Sequence, residues 1–136
     1  MSTQGVDNLP LGLDAGQVVM EIGFDSDCDE PIRDAFVAAI GQEMLDEDSD
    51  EIVEAVLLWW RDDDGDLVDG LMDALSPLAD NGVIWLLTPK AGRDGHLDPA
   101  DIAEAAPTAG LQPTSTISAS PNWQGTRLVT PRSPRR

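Results

Sequence analysis

The 136-residue chain has one cysteine, one histidine and no tyrosine, and each shortage excludes something. With Cys28 alone, no internal disulfide can form, and a reduced, cytoplasmic setting is the default expectation. Cys28 and His96, each the sole residue of its kind, cannot supply the usual ligand set of a zinc centre. No apolar run approaches the ~20 residues that a membrane span requires, so no membrane partner is expected. The opening stretch, MSTQGVDNLP, has neither the basic patch nor the apolar segment of a secretion signal. Neither a G-x-S-x-G nucleophile turn nor a Walker phosphate loop occurs.

Positive charge is also scarce. Eight Lys and Arg stand against 26 Asp and Glu, a net charge of −18. Residues 1–80 carry 22 acids and two bases, while residues 81–136 carry four acids and six bases. Arg127, Arg132, Arg135 and Arg136 lie among the last ten residues. Phosphate backbones are repelled by the acidic portion, so direct nucleic-acid binding there is not expected. The acids serve either as a solvated, solubilising surface or as a docking surface for a basic protein partner.

What is present alternates between strand and helix patterns. GQVVMEIG (16–23) reads as a strand between glycines. DEPIRDAFVAAIG (29–41) reads as a helix capped by Asp29, with Pro31 in the first turn and Ile32, Phe36, Val37 and Ile40 along one stripe. EMLDEDSDE (43–51) is an acidic connector with room for a very short strand at its start. IVEAVLLWW (52–60) suits a strand covered on both faces, as in a parallel sheet. GDLVDGLMDALSPLAD (65–80) predicts an amphipathic helix that Pro77 ends or kinks. NGVIWLLTPK (81–90) gives a turn and a buried strand from Val83 to Leu87. LDPADIAEAAPTAGL (97–111) predicts a helix capped by Asp98. PTSTISAS (113–120) and GTRLVTP (125–131) alternate like half-exposed strands, with PNWQ as the hairpin connection. The expected domains are a flexible start (1–9), one α/β unit (10–130) and a basic tail (131–136). The alternation implies right-handed crossovers between parallel strands.

The passage AVLLWWRDDDGDLVDGLMDALSPLADNGVIWLLTPKAG resembles the fourth-strand, helix, fifth-strand passage of a Rossmann-type methyltransferase. LADNGVIWLL is similar to the turn in which a glycine precedes the fifth strand of that fold. The resemblance implies an α/β class: a reduced Rossmann-like, mostly parallel sheet with helices on its faces and a C-terminal antiparallel strand pair. LLWWRDDDGDLVD, GVIWLLTPKAGRDGH and AGLQPTSTISASPNWQGTRLV more closely resemble a small actinobacterial family known as a domain of unknown function. Its composition, with one Lys and many Ala, Gly, Asp and Arg, also fits a GC-rich genome.

The departures from a working methyltransferase carry weight. A cofactor loop of that fold resembles G-x-G-x-x-G, so that backbone can approach the ligand closely. Here the first strand ends EIGFDSDCD, and only Glu21 and Gly23 echo the motif. Asp25, Asp27, Asp29 and Glu30 crowd the following helix N-terminus, where they take the favourable end of its dipole and repel phosphate. About 30 residues separate this strand from the next long one, too few for a full nucleotide-binding half. No cofactor is therefore expected.

Two loops are candidate sites. RDDDGD (61–66) invites a calcium reading, but with Gly65 at loop position 6 an EF-hand would need ligands at Trp60 and Leu71. The simpler reading is a polar turn in which Asp64 or Asp66 caps the next helix. TPKAGRDGH (88–96) brings Lys90, Arg93 and His96 together, with Gly92 and Gly95 able to expose N–H groups to an anion. Alternatively, Lys90 and Arg93 pair with the 61–66 acids and fasten the loops together. Asp62, Asp64, Lys90, Gly92, Arg93 and His96 are the ligand-binding candidates, at the carboxyl edge where α/β sheets bind ligands. A Cys28–His96 nucleophile pair is formally available, but the flanking acids raise the thiol pKa and oppose it. Trp59, Trp60 and Trp85 read as core, with Trp59 and Trp60 on opposite faces. Trp123, in the hairpin connection, is the tryptophan expected to be free for a partner. No catalytic residue and no metal ligand is assigned.

These readings favour a small acidic, non-enzymatic binding or regulatory protein. The alternative is a small-molecule or anion-binding protein, methyltransferase-like, with its site at the carboxyl edge. A third expectation is mimicry of nucleic acid by the acidic surface.

Overall fold

The computed structural model describes residues 11–130. The expected N-terminal segment and basic tail lie outside the described residues. In chain order the elements are β1 (Val19–Ile22), α1 (Glu30–Ile40), β2 (Val53–Trp59), α2 (Leu67–Leu75), β3 (Leu78–Pro89), α3 (Pro99–Thr108), β4 (Gln112–Ser118) and β5 (Trp123–Val129). One five-stranded sheet has the order β1-β2-β3-β5-β4. The first three strands are parallel, and β5 joins β3 and β4 by antiparallel ladders. The α/β class, the parallel core and the closing antiparallel pair are those expected.

Each face of the sheet has its own core. Val56, Leu58, Ile84, Leu86 and Leu128 meet Leu67, Leu71, Ile102 and Ala106 of α2 and α3. On the other face Ala55, Leu57, Trp59, Trp85 and Trp123 meet Ile32, Phe36 and Ile40 of α1. Burial on both faces explains why β2 is an almost unbroken apolar run.

This placement sets a topological puzzle. The steps β1 to β2 and β2 to β3 move in one direction, yet α1 and α2 lie on opposite faces. Crossovers of one hand would put both helices on the same face. The resolution is Leu45, which makes an isolated parallel bridge with Met20 on the outer side of β1. Glu21 N donates to Leu45 O at 2.9 Å, and Leu45 N donates to Val19 O at 2.8 Å. The chain thus leaves β1 outward, through α1 to this bridge, and then returns to β2 across the other face. Both true crossovers then share one hand. The short strand expected at the start of the acidic connector is this single bridge.

Some boundaries differ from expectation. The second helix stops at Leu75, before Pro77, and β3 begins at once at Leu78 instead of Val83. Pro77 cannot continue the helix, and its carbonyl accepts from Val53 N at 2.9 Å, which draws the segment into the sheet. The hairpin connection keeps its length but lies two residues earlier than expected: β4 ends at Ser118, Ala119 N and Ser120 N both donate to Trp123 O at 3.0 Å, and β5 starts at Trp123.

Candidate functional site

Because β1, β2 and β3 are parallel, their carboxyl ends open on one edge. The chain runs outward from β1 and inward from β2, so the gap between these two ends is the topological switch point, where open α/β sheets bind ligands. Arg61, just beyond β2, fills that gap.

Its side chain is only 11% exposed. Nε donates to Asp27 Oδ2 at 2.9 Å and Nη2 donates to Asp27 Oδ1 at 2.5 Å, a bidentate fork. Nη2 also donates to Cys28 Sγ at 3.1 Å. Nη1 donates to Gly23 O at 2.8 Å and approaches Asp64 Oδ2 at 3.4 Å. A guanidinium has five N–H groups, and this set of acceptors engages them all. The Asp64 carboxylate also accepts from Arg61 N at 2.9 Å, closing a reciprocal turn at the strand exit. The Arg61 charge holds the Asp27 carboxyl below the usual carboxylate range, chiefly by hydrogen bonding. The same partner raises the guanidinium pKa still further. Burial, above all, pushes the Cys28 thiol up to about 11, so at neutral pH it is a thiol and a poor nucleophile.

A second polar cluster lies below. Glu21, 8% exposed, accepts from Trp59 Nε1 at 2.9 Å and from Arg33 Nε and Nη2 at 2.7 and 2.8 Å. The Arg33 guanidinium lies 4.0 Å above the Phe24 ring. Gly23 sits between the two clusters at φ +85°, and a Cβ there would come within 2.5 Å of Trp59 O. The Glu21-x-Gly23 echo in the sequence therefore has a packing cause: strand ends this close admit only glycine.

Beside Arg61, on the α2 side, an open cleft of about 350 Å³ is lined by Gly23, Phe24, Asp25, Glu47, Trp60 and Asp64. Glu47 reaches over from the connector and accepts from Gly23 N at 3.0 Å.

A family model described as "Protein of unknown function (DUF3052)" matches residues 9–132. The chain belongs to this family. An uncharacterized protein of Mycobacterium tuberculosis (strain ATCC 25618 / H37Rv) is 58% identical over 123 residues, 90% of this chain and 77% of its own length. An uncharacterized protein of Mycobacterium bovis has the same identity and coverage. Among solved structures, the pyocyanin biosynthetic protein PhzM is similar with a TM-score of 0.69 at 10% identity. The match covers 93% of this chain and 54% of PhzM, so the chain spans about half that protein. A SAM-dependent methyltransferase from Aquifex aeolicus has a TM-score of 0.55 at 12% identity, covering 87% of this chain and 84% of that one. A putative type 11 methyltransferase from Sulfolobus solfataricus has a TM-score of 0.55 at 12% identity, covering 89% and 88%. At these identities the likeness is one of fold: a Rossmann-like methyltransferase sheet.

Against that sheet the DUF3052 candidates can be placed. The two candidate loops do touch: Asp62 N donates to Gly95 O at 2.8 Å. The fastening is through backbone, not through the expected ion pairs. Lys90 Nζ donates to Ser118 Oγ, and Arg93 Nη1 donates to Asn122 O at 3.2 Å, so both cations turn toward the β4–β5 hairpin. The cation that pairs with the 61–66 acids is Arg61 itself. Asp62 lines a different cleft, between α2 and α3, with Asp66, Asp101 and Glu104. His96 Nδ1 lies 3.0 Å from Pro89 O and donates to it. Gly92 lies in the turn closed by Arg93 N to Lys90 O at 3.1 Å. Asp66 caps α2 by accepting from Asp69 N at 3.3 Å. Asp98 caps α3 by accepting from Ala100 N at 3.0 Å. Asp29 occupies the α1 cap position without capping and instead accepts from Ser120 Oγ.

Trp123 corrects the expectation of a free surface tryptophan. It is fully buried, stands edge-on to Trp59 with centroids 4.9 Å apart, and donates from Nε1 to Asp27 O at 3.1 Å. The cause is the earlier start of β5, which brings Trp123 into the sheet opposite Pro89, on the face packed against α1. Trp59 and Trp60 do face opposite ways: Trp59 faces the α1 core, while the Trp60 ring covers Gly70 of α2. Among the described residues, no group of three or more His, Cys, Asp or Glu is placed to hold a metal ion. No described helix is long and apolar enough to cross a membrane.

Sequence reasoning passed over Arg61 and Glu47. The signal for Arg61 was its rarity, as one of two bases in the first 80 residues, placed at a strand exit. Glu47 stands 24 residues beyond Gly23, close to the ~20-residue spacing at which dinucleotide-binding folds place an acid.

Proposed function

We propose that this protein binds another protein through its acidic surface and carries no methyltransferase chemistry. The observation that supports this reading is the saturation of Arg61 at the switch point. An adenosyl cofactor in this fold would lie across the ends of β1 and β2. Here Arg61 bridges those ends, and the Phe24 side chain and four acids take the place of a glycine-rich loop. Among the described residues the sheet also has no full strand beyond β1, where Leu45 supplies only one bridge. The residues present do not fit the cofactor, and no reaction step is assigned to it. A chain starved of bases over its first 80 residues attracts a basic partner and repels nucleic acid.

A second reading is a small-molecule site at the same edge. The cleft lined by Gly23, Glu47 and Trp60 favours it. Thermal-shift measurements with adenosyl compounds, nucleotides and divalent metals separate the two, because a ligand that binds only the folded state raises its stability. The expected result is no saturable shift, together with salt-sensitive retention of a basic protein. A saturable rise of several degrees with an adenosyl compound would overturn the first reading. Loss of that rise in Glu47→Gln would place the ligand in the cleft.

A further inference from the structure

Three large hydrophobic side chains are exposed among the described residues: Phe24 at 41%, Ile52 at 64% and Met72 at 54%. Phe24 is covered by the Arg33 guanidinium. Ile52 and Met72 have no such cover; Ile52 lines a groove, and Met72 lies on the α2 face whose Asp73 lines the same groove. This groove, of about 420 Å³, runs between the 47–52 connector and the end of α2. Its floor is Met20, Ile22 and Pro77, and Ile52 forms one wall. Asp73 and Ser76 line the other wall. Met72 precedes Asp73 and lies one turn before Ser76, so Asp69, Met72, Asp73 and Ser76 share that outer helix face.

The rim is uniformly acidic. Glu47, Asp50 and Asp73 line the groove, and Asp46, Asp48, Glu51 and Asp69 stand next to them in sequence. The four ion pairs among the described residues are Arg33 with Glu21 and Glu30, and Arg61 with Asp27 and Asp64. None involves a rim acid, and the chain has no base between Arg61 and Lys90. An apolar floor with an acidic rim selects its occupant by charge. A second copy would bring like charge against like. Nucleic acid and anionic membranes are repelled. A basic amphipathic segment satisfies both the apolar floor and the rim.

We infer that the groove between the 47–52 connector and α2 is the docking site for a basic, amphipathic helical segment of a partner protein, with Ile52 and Met72 as its apolar contacts. This inference rests on the acidic-docking reading above and names its surface. The closeness of β1 to the groove gives the site a rigid base, since Met20 is 2% exposed and held in the sheet.

Fluorescence anisotropy with two labelled peptides tests it. Both peptides are helix-forming and rich in lysine at equal charge. One carries leucines spaced i, i+3, i+4, i+7, and the other has serines in their place. At low salt the leucine peptide is expected to bind at least about tenfold more tightly, which corresponds to about 1.4 kcal/mol. The double variant Ile52→Ser, Met72→Ser should remove that advantage and leave the serine peptide unchanged. Its urea midpoint, matched to the parent chain, shows that it is folded. Equal binding of the two peptides, or an advantage that survives the double variant, would sink the groove while leaving a diffuse basic-docking surface standing. No binding of either peptide at low salt would sink both readings. A concentration-dependent dimer whose formation the double variant abolishes would replace the partner with a second copy and overturn the inference.

Discussion

The cleft at the switch point between β1 and β2 and the groove beside α2 share Ile22 and Glu47 in their linings, yet they are built in opposite ways. At the switch point every strong polar group has a partner inside the chain: Arg61 engages Asp27, Cys28, Gly23 and Asp64, and Glu21 engages Arg33 and Trp59. At the groove no acid has an ion-pair partner among the described residues, Glu47 alone of the lining acids takes a backbone donor, Gly23 N, and two apolar side chains face solvent. A satisfied network fixes a structure and has little left to offer a ligand. An unspent one adds little to stability and remains available for binding. The comparison separates residues that hold this fold from residues that could meet a partner, and substitutions can break it in order of effect.

The largest loss is expected at Trp123. Removing a buried aromatic costs about 3–5 kcal/mol in a core that cannot collapse. Trp123→Ala should therefore lower the urea midpoint most, and Trp123→Phe less, since it keeps a ring but leaves Asp27 O without its indole donor. Gly23→Ala comes next. Left-handed backbone alone costs a non-glycine residue about 1–2 kcal/mol, and the new methyl must also displace Trp59 O from 2.5 Å. A wild-type midpoint in Gly23→Ala would mean that the strand ends are not held as described.

Arg61 follows. Hydrogen bonds to charged groups contribute about 1.5–3 kcal/mol each when buried, and partial exposure of Asp27 reduces this, so Arg61→Ala should cost roughly 2 kcal/mol. Arg61→Lys should recover little, because a point cation cannot span the Asp27 fork and Gly23 O together. If Arg61→Lys restored full stability, the saturation argument would fail. A gain of adenosyl binding in Arg61→Ala would show instead that the arginine is a plug over a competent site.

Much of this architecture was legible in the sequence. The apolar run of β2 and the glycine and proline punctuation gave the order of elements, because two-face burial and broken helices leave local marks. Leu45 was legible only as room for a short strand. The lock was not legible, because its partners lie far apart in the chain: Arg61 and Asp27 are 34 residues apart, and Trp123 and Asp27 are 96 apart. Trp123 looked free because a hairpin of serine, proline and asparagine reads as surface. Residues 123 and 125 share a face of a strand, so whether β5 begins at one or the other decides whether that tryptophan enters the sheet at all, and local patterns do not fix a strand end to within two residues. Lys90 and Arg93 were expected to seek the nearest acids, but loop geometry turned them to the hairpin.

Acid pH offers a smaller perturbation of the same contrast. Asp27 titrates below its ordinary value of 3.8 in the folded chain because Arg61 bonds to its carboxylate. A depressed folded pKa means stability that is present above the unfolded value and is lost as pH falls through the folded one. Urea midpoints should therefore drop below about pH 4, and Asp27→Asn should flatten part of that drop. The groove supplies the smallest effect on stability. Ile52 and Met72 are more than half exposed, and surface substitutions away from special features stay within about 0.5 kcal/mol. Asp50→Asn and Asp73→Asn should be equally silent, or slightly stabilising, because they relieve repulsion among unpaired acids. A loss above about 1 kcal/mol in any of these variants would mean that the groove, like the switch point, is committed to holding the fold.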